Sequence, residues 1–138
     1  MKAYRNTGVY LRELYDALVG HLHHRLSKEG YEDITPSHGL IFQYLEEEGS
    51  RITELAHRAG ITKQSMSALV YQLEDSDYLK RSPDPTDARA LRFILTAKGQ
   101  RLKVKGQQIN YEFEKQWEHK LGAIRYKKFR EMLEELVK

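Results

Sequence analysis

Between Thr53 and Thr96 the chain reads as two short helices joined at a glycine and followed by a β-hairpin, and this order constrains the fold more than any other feature. Thr53 can cap a helix containing Leu55, Ala56 and Ala59, and Gly60 then supplies the permissive backbone of a tight turn. Thr62 caps a second helix in which Met66, Leu69, Val70 and Leu73 fall at i, i+3, i+4 and i+7. Gln64, Ser67, Ala68 and Tyr71 take the opposite face, so one side is core and the other small and polar. Tyr78 to Ser82 reads as a strand and Pro83-Asp84-Pro85-Thr86-Asp87 as a protruding tip. In the return strand Leu91, Phe93 and Leu95 alternate with Arg92 and Ile94.

Amphipathic helices flank this module. From Val9 to Leu26, the residues Leu11, Leu14, Tyr15, Leu18, Leu22 and Leu26 recur at helical spacing. Thr35-Pro36 offers an N-cap followed by proline at the first helical position, and the helix it opens should run to about Glu48, where Gly49 stops it. Thr96 caps a fifth helix that carries Lys98, Arg101, Lys103 and Lys105 early, then Ile109, Phe113, Trp117 and Leu121, with Gly106 weakening its middle. After Gly122 a last helix repeats Phe129, Met132, Leu133 and Leu136. The outer stripes are more than the central module should cover, so a second copy of the chain is their expected partner.

At 138 residues the chain suits one domain with its own core. With no cysteine it can make no disulfide, thiolate nucleophile or Cys-based zinc site. No apolar run approaches a bilayer span and no signal-peptide pattern opens the chain, which implies a cytoplasmic protein without a membrane partner. The net charge of +3 is small, but it is uneven. Residues 1–50 hold 5 basic against 8 acidic side chains, 51–96 hold 7 against 6, and 97–138 hold 11 against 6. The first third is acidic and the rest basic.

The blocks Ile52-Thr53-Glu54-Leu55-Ala56, Gly60-Ile61-Thr62-Lys63-Gln64, Leu69-Val70-Tyr71-Gln72-Leu73-Glu74, Asp84-Pro85-Thr86-Asp87-Ala88-Arg89 and Leu95-Thr96-Ala97-Lys98-Gly99, in this order and spacing, resemble the MarR family of regulators. The resemblance implies a mainly α fold with a small β-hairpin wing (α+β). In it residues 1–138 form a single domain, with a winged helix-turn-helix at 34–105 and dimerisation helices at 1–33 and 106–138. It implies a homodimer bound to a pseudo-palindromic duplex-DNA operator, acting as a repressor that a small aromatic or anionic effector relieves. It also gives Arg89 the minor-groove role, and it sets Ala88 where a second basic residue is common.

Elementary chemistry reaches a compatible reading. A helix entering the major groove needs short polar side chains, and Thr62, Lys63, Gln64, Ser65, Ser67, Ala68 and Tyr71 form the candidate face. Gln64 can pair bidentately with adenine, and Ala68 can touch a thymine methyl. At the wing, Asp87 can hold the Arg89 guanidinium extended toward a narrow minor groove, with Arg92, Lys80 and Arg81 available to phosphates.

His21 and His24 lie three apart on one helix, but without cysteines or a carboxylate pair at ligand spacing they are not read as a metal site. Together with Tyr15, His38 and Phe42 they are the candidate lining of an effector pocket, although aromatic side chains fill cores more often than they cage ligands. Enzymatic motifs are missing: there is no phosphate loop, His-Glu-x-x-His pattern or nucleophile elbow, and no cofactor is called for. The competing function is a winged-helix module for protein contacts or architectural DNA binding without an effector. Such a module should present larger apolar groups on the helix face that here carries Gln64, Ser65 and Ser67.

Overall fold

The computed structural model describes residues 3–138. It contains six α-helices and one two-stranded antiparallel hairpin: α1 (Thr7–Lys28), α2 (Gly39–Tyr44, entered through a 3-10 turn at Pro36–His38), α3 (Ile52–Ala59), α4 (Lys63–Asp75), β1 (Leu79–Asp84), β2 (Asp87–Leu95), α5 (Ala97–Leu121) and α6 (Ala123–Val137). This is a winged helix-turn-helix with flanking helices. Two compact units divide the described residues, one formed by 26–105 and the other by 3–25 with 106–138.

The central unit closes on Ile41, Leu55, Met66, Val70, Leu73, Tyr78, Leu79 and Phe93, all essentially buried. Each such side chain contributes about 1.5–3 kcal/mol of transfer free energy. The expected caps are largely in place. Thr35 precedes Pro36 at the start of the 3-10 turn, Thr62 Oγ1 accepts the Ser65 N–H at 3.1 Å, and Thr96 Oγ1 accepts the Gly99 N–H at 3.0 Å. Between α3 and α4, Gly60 takes the left-handed conformation at φ 68° that a tight turn needs.

Three local expectations are corrected. The second helix does not reach Glu48 but stops at Tyr44. Three successive glutamates at a helix C-terminus would oppose its dipole, and Arg58 instead donates to the Tyr44 carbonyl at 3.2 Å. The N-cap of α3 is Arg51 rather than Thr53, with the Arg51 N–H donating to Glu54 Oε1 at 2.9 Å. β1 is shifted to Leu79–Asp84, because the Tyr78 N–H donates to the Leu73 carbonyl at 2.8 Å instead of joining the ladder; the buried Tyr78 hydroxyl donates to Asp33 at 2.9 Å. The fifth helix runs unbroken through Gly106 as α5.

In the other unit, His21 stacks on Phe113 at 4.8 Å between ring centroids, and Phe113 meets Trp117 edge-on at 5.3 Å. Glu114 accepts from both the Tyr126 hydroxyl and Arg130. Much apolar surface of the outer helices stays open: Leu11 is 47% exposed, Ile124 75%, Met132 54% and Leu136 85%. Among the described residues, no helix is long and apolar enough to cross a membrane.

Candidate nucleic-acid interface

Helix α4 separates its residues as its periodicity requires. Met66, Val70 and Leu73 are buried, whereas Lys63, Gln64, Ser65, Ala68 and Tyr71 are exposed and Ser67 is half-buried. Thr62 and Ser65 are partly committed to each other, because the Thr62 hydroxyl also donates to Ser65 Oγ at 2.9 Å. Gln64 and Lys63 extend from the first turn with no partner among the described residues. At the other end of the face the Tyr71 ring meets Phe93 edge-on at 6.4 Å, so the face abuts the hairpin.

The wing departs from a simple charged tip. β1 and β2 pair in regular antiparallel register from Leu79↔Leu95 to Pro83↔Leu91, and the register then slips so that Asp84 faces Asp87. Asp87 does not hold the Arg89 guanidinium: its carboxylate accepts the Arg89 backbone N–H at 3.0 Å. A carboxylate two residues upstream reaches the backbone more readily than the end of a long side chain. Arg89 itself is exposed, and no acid pairs with its guanidinium among the described residues. Lys80 is likewise exposed and unpaired among them.

Two other arginines are engaged. Arg81 donates to Glu74 through Nε at 2.7 Å and Nη2 at 3.2 Å, and Arg92 donates through Nε to Asp84 at 3.3 Å. Both are therefore partly neutralised within the protein.

Asp84 and Arg51 are the residues that sequence reading missed. The Asp84 side chain has no exposed surface, and its Oδ2 accepts the Arg51 Nε–H at 2.7 Å. The available signal was the Asp-Pro-Thr order, since an aspartate commonly accepts the N–H two residues on, and Thr86 donates to Asp84 at 2.8 Å from its backbone and 2.7 Å from its hydroxyl. The bonds from Arg51 and Thr86 hold the Asp84 carboxyl well below the usual carboxylate range. Because its folded value lies below its unfolded one, ionised Asp84 stabilises the fold above about pH 4, and this is lost as pH falls through the folded value. Thermal melts of the protein and of Asp84→Asn should therefore differ most near neutrality and converge in acid. A gap that stays constant from about pH 7 to pH 3 would contradict the pairing.

The candidate pocket residues fall in different places. Tyr15 is 62% exposed on α1, His24 is exposed, and His21 is half-buried against Phe113. Phe42 is half-buried on α2. His38 is buried with both ring nitrogens engaged: Nδ1 accepts the Thr35 N–H at 2.9 Å, which leaves Nε2 to donate to Gln72 Oε1 at 2.9 Å. In this arrangement His38 ties the start of α2 to helix α4. Among the described residues, no three acidic or histidine side chains are grouped so as to hold a metal ion.

Comparison with known proteins places this geometry. A family model described as "MarR family" matches residues 32–90. The exopolysaccharide II synthesis transcriptional activator ExpG of Rhizobium meliloti is 32% identical over 83 residues, which are 60% of this chain and 43% of that protein. The chain thus spans less than half the length of that relative. The crystal structure of the transcriptional regulator Tm0710 from Thermotoga maritima is 31% identical, with 92% of this chain and 88% of that one covered and a TM-score of 0.65. The Mycobacterium tuberculosis MarR family protein Rv2887, in complex with salicylic acid, is 25% identical with 99% of both chains covered and a TM-score of 0.72.

Proposed function

This chain belongs to the MarR family, and from that premise we propose that it regulates transcription as a cytoplasmic homodimer on a pseudo-palindromic duplex. The carrying observation is the exposed, small and polar face of α4 lying beside a wing whose Arg89 has no acid partner among the described residues. In this reading Lys63, Gln64, Ser67 and Ala68 meet the major groove, with Tyr71 and the Thr62-Ser65 cap at its edges, while Arg89 enters the minor groove. Lys80 meets phosphates, and Arg81 and Arg92 assist with what their pairing leaves free. Two copies related by a two-fold axis read half-sites about one helical turn, roughly 10 base pairs, apart. Selection from random duplexes followed by footprinting should return that symmetry, and a single unrepeated half-site would overturn it.

The dimer reading rests on α1, α6 and the second half of α5, whose exposed apolar residues include Leu11, Ile124, Met132 and Leu136. Sedimentation equilibrium is expected to show a dimer at micromolar concentration, and a stable folded monomer there would refute it. For control, we propose a repressor released by a small aromatic or anionic effector, a class of ligand that salicylic acid in the Rv2887 complex supports. In a reporter driven from the selected site, removing the protein should raise expression. A fall, such as an activator like ExpG would give, would reverse the sign.

A further inference from the structure

We propose that Asp84 is the positioning residue of the wing: its buried carboxylate ties the hairpin tip to the start of α3 and thereby fixes where Arg89 is held. The inference rests on the reading of Arg89 as a DNA contact. A carboxylate next to a hairpin turn is ordinarily solvated, and burying one is costly unless donors surround it. Here Oδ2 accepts from Arg51 and Arg92, and Oδ1 accepts twice from Thr86. The donors come from three parts of the chain: the turn itself, the return strand, and the first cap of the helix-turn-helix, 33 residues upstream.

The strand register shows why such a tie is needed. Pro83 pairs with Leu91, yet the next residue, Asp84, pairs with Asp87, so residues 88–90 are passed over by the ladder. Arg89 lies in that segment. Backbone pairing therefore does not set its position, and the local bond from its own N–H to Asp87 fixes the turn without fixing the turn to the rest of the unit. The Arg51–Asp84 pair supplies that attachment, because Arg51 caps α3 and the Asp84 side chain has no solvent to exchange partners with.

Charge alone predicts the opposite outcome. Deleting a carboxylate beside two guanidiniums makes the wing more positive and should strengthen binding to any duplex. Positioning requires instead that Asp84→Ala weaken binding to the selected duplex, by about tenfold, the scale of one charge-assisted hydrogen bond. Arg51→Gln, which leaves Asp84 in place, should also weaken binding; because losing a cation does so through charge alone, this variant, used if Asp84→Ala does not fold, is decided by the exchange of residues 85–90 and by the Arg89→Ala background. Both variants are measured on selected and random duplexes, with and without Arg89→Ala, and amide exchange of residues 85–90 is followed in the free protein. The expected result is faster exchange in 85–90, together with a loss of affinity that vanishes once Arg89 is absent. Unchanged exchange, tighter binding, or an equal loss on the Arg89→Ala background would each overturn the proposal. Should the unmutated protein bind no duplex, the DNA reading fails, while exchange still decides whether Asp84 and Arg51 order the wing.

Discussion

Gly99→Ala should destabilise the protein by about 3 kcal/mol, enough to lower the melting temperature by roughly 10 °C. Gly99 sits in the first turn of α5, just after the Thr96 cap, and it is buried. A Cβ placed there would overlap the backbone carbonyl oxygen of Tyr78 and come within 3.0 Å of Leu95 Cδ2. That carbonyl is not free to move away, because it accepts the Thr96 N–H at 3.0 Å and belongs to a buried residue. Relief requires moving the start of α5 away from the strand, which would break the bond from the Thr96 hydroxyl to Asp77 and that from Lys98 to the Ser76 carbonyl. Gly39→Ala is the matched control. A Cβ at Gly39 meets nothing within 4 Å and the backbone is already helical, so alanine there should stabilise by about 0.5–1 kcal/mol. Equal effects at the two sites, read by thermal or urea unfolding, would show that the close approach at Gly99 carries no energetic weight.

Gly99 also marks what one chain's sequence can convey. The Leu-Thr-x-x-Gly block was legible as a pattern, and the cap at Thr96 followed from local chemistry, yet the reason for the glycine lies in a carbonyl 21 residues earlier. The same division runs through the fold. Caps at Thr35 and Thr62, the Gly60 turn and the buried stripe of α4 depend on neighbours within a turn or two, and periodicity or side-chain type exposes them. The end of α2 depends on Arg58 reaching the Tyr44 carbonyl, and the burial of Asp84 depends on Arg51, 33 residues away. Those partners are arginines and acids that any solvated surface also carries, so composition gave no means of pairing them. The candidate interface was legible for the same reason that the helix was: its exposed face is the complement of a core stripe. What escaped was which cations the protein keeps for itself, Arg51, Arg81 and Arg92, and which it leaves unpaired among the described residues, Lys63, Lys80 and Arg89.

That distinction makes the contrast between Arg89 and Gln64 the sharpest test of the functional reading. Arg89→Ala removes an exposed guanidinium with no acid partner among the described residues, so its charge is available in full to phosphates and to the negative potential of a narrow minor groove. Affinity for the selected and random duplexes should fall together by about tenfold or more, and the log-log salt slope should flatten by somewhat under one unit. Any loss of selectivity should be confined to A·T-rich flanks. Arg92→Ala offers a comparison within the same strand, since part of its charge is already neutralised by Asp84 and its effect on the slope should be smaller. Gln64→Ala removes a neutral side chain from the exposed first turn of α4. It should cost about 1–3 kcal/mol on the selected duplex and leave both the random-duplex affinity and the salt slope nearly unchanged. The two variants thus separate an electrostatic wing from a base-reading helix with the same titration and a change of competitor. If Arg89→Ala left both affinities and the slope intact in a folded protein, the hairpin would be scaffold. If Gln64→Ala weakened both duplexes equally, α4 would be gripping the backbone and sequence readout would have to come from deformation of the DNA.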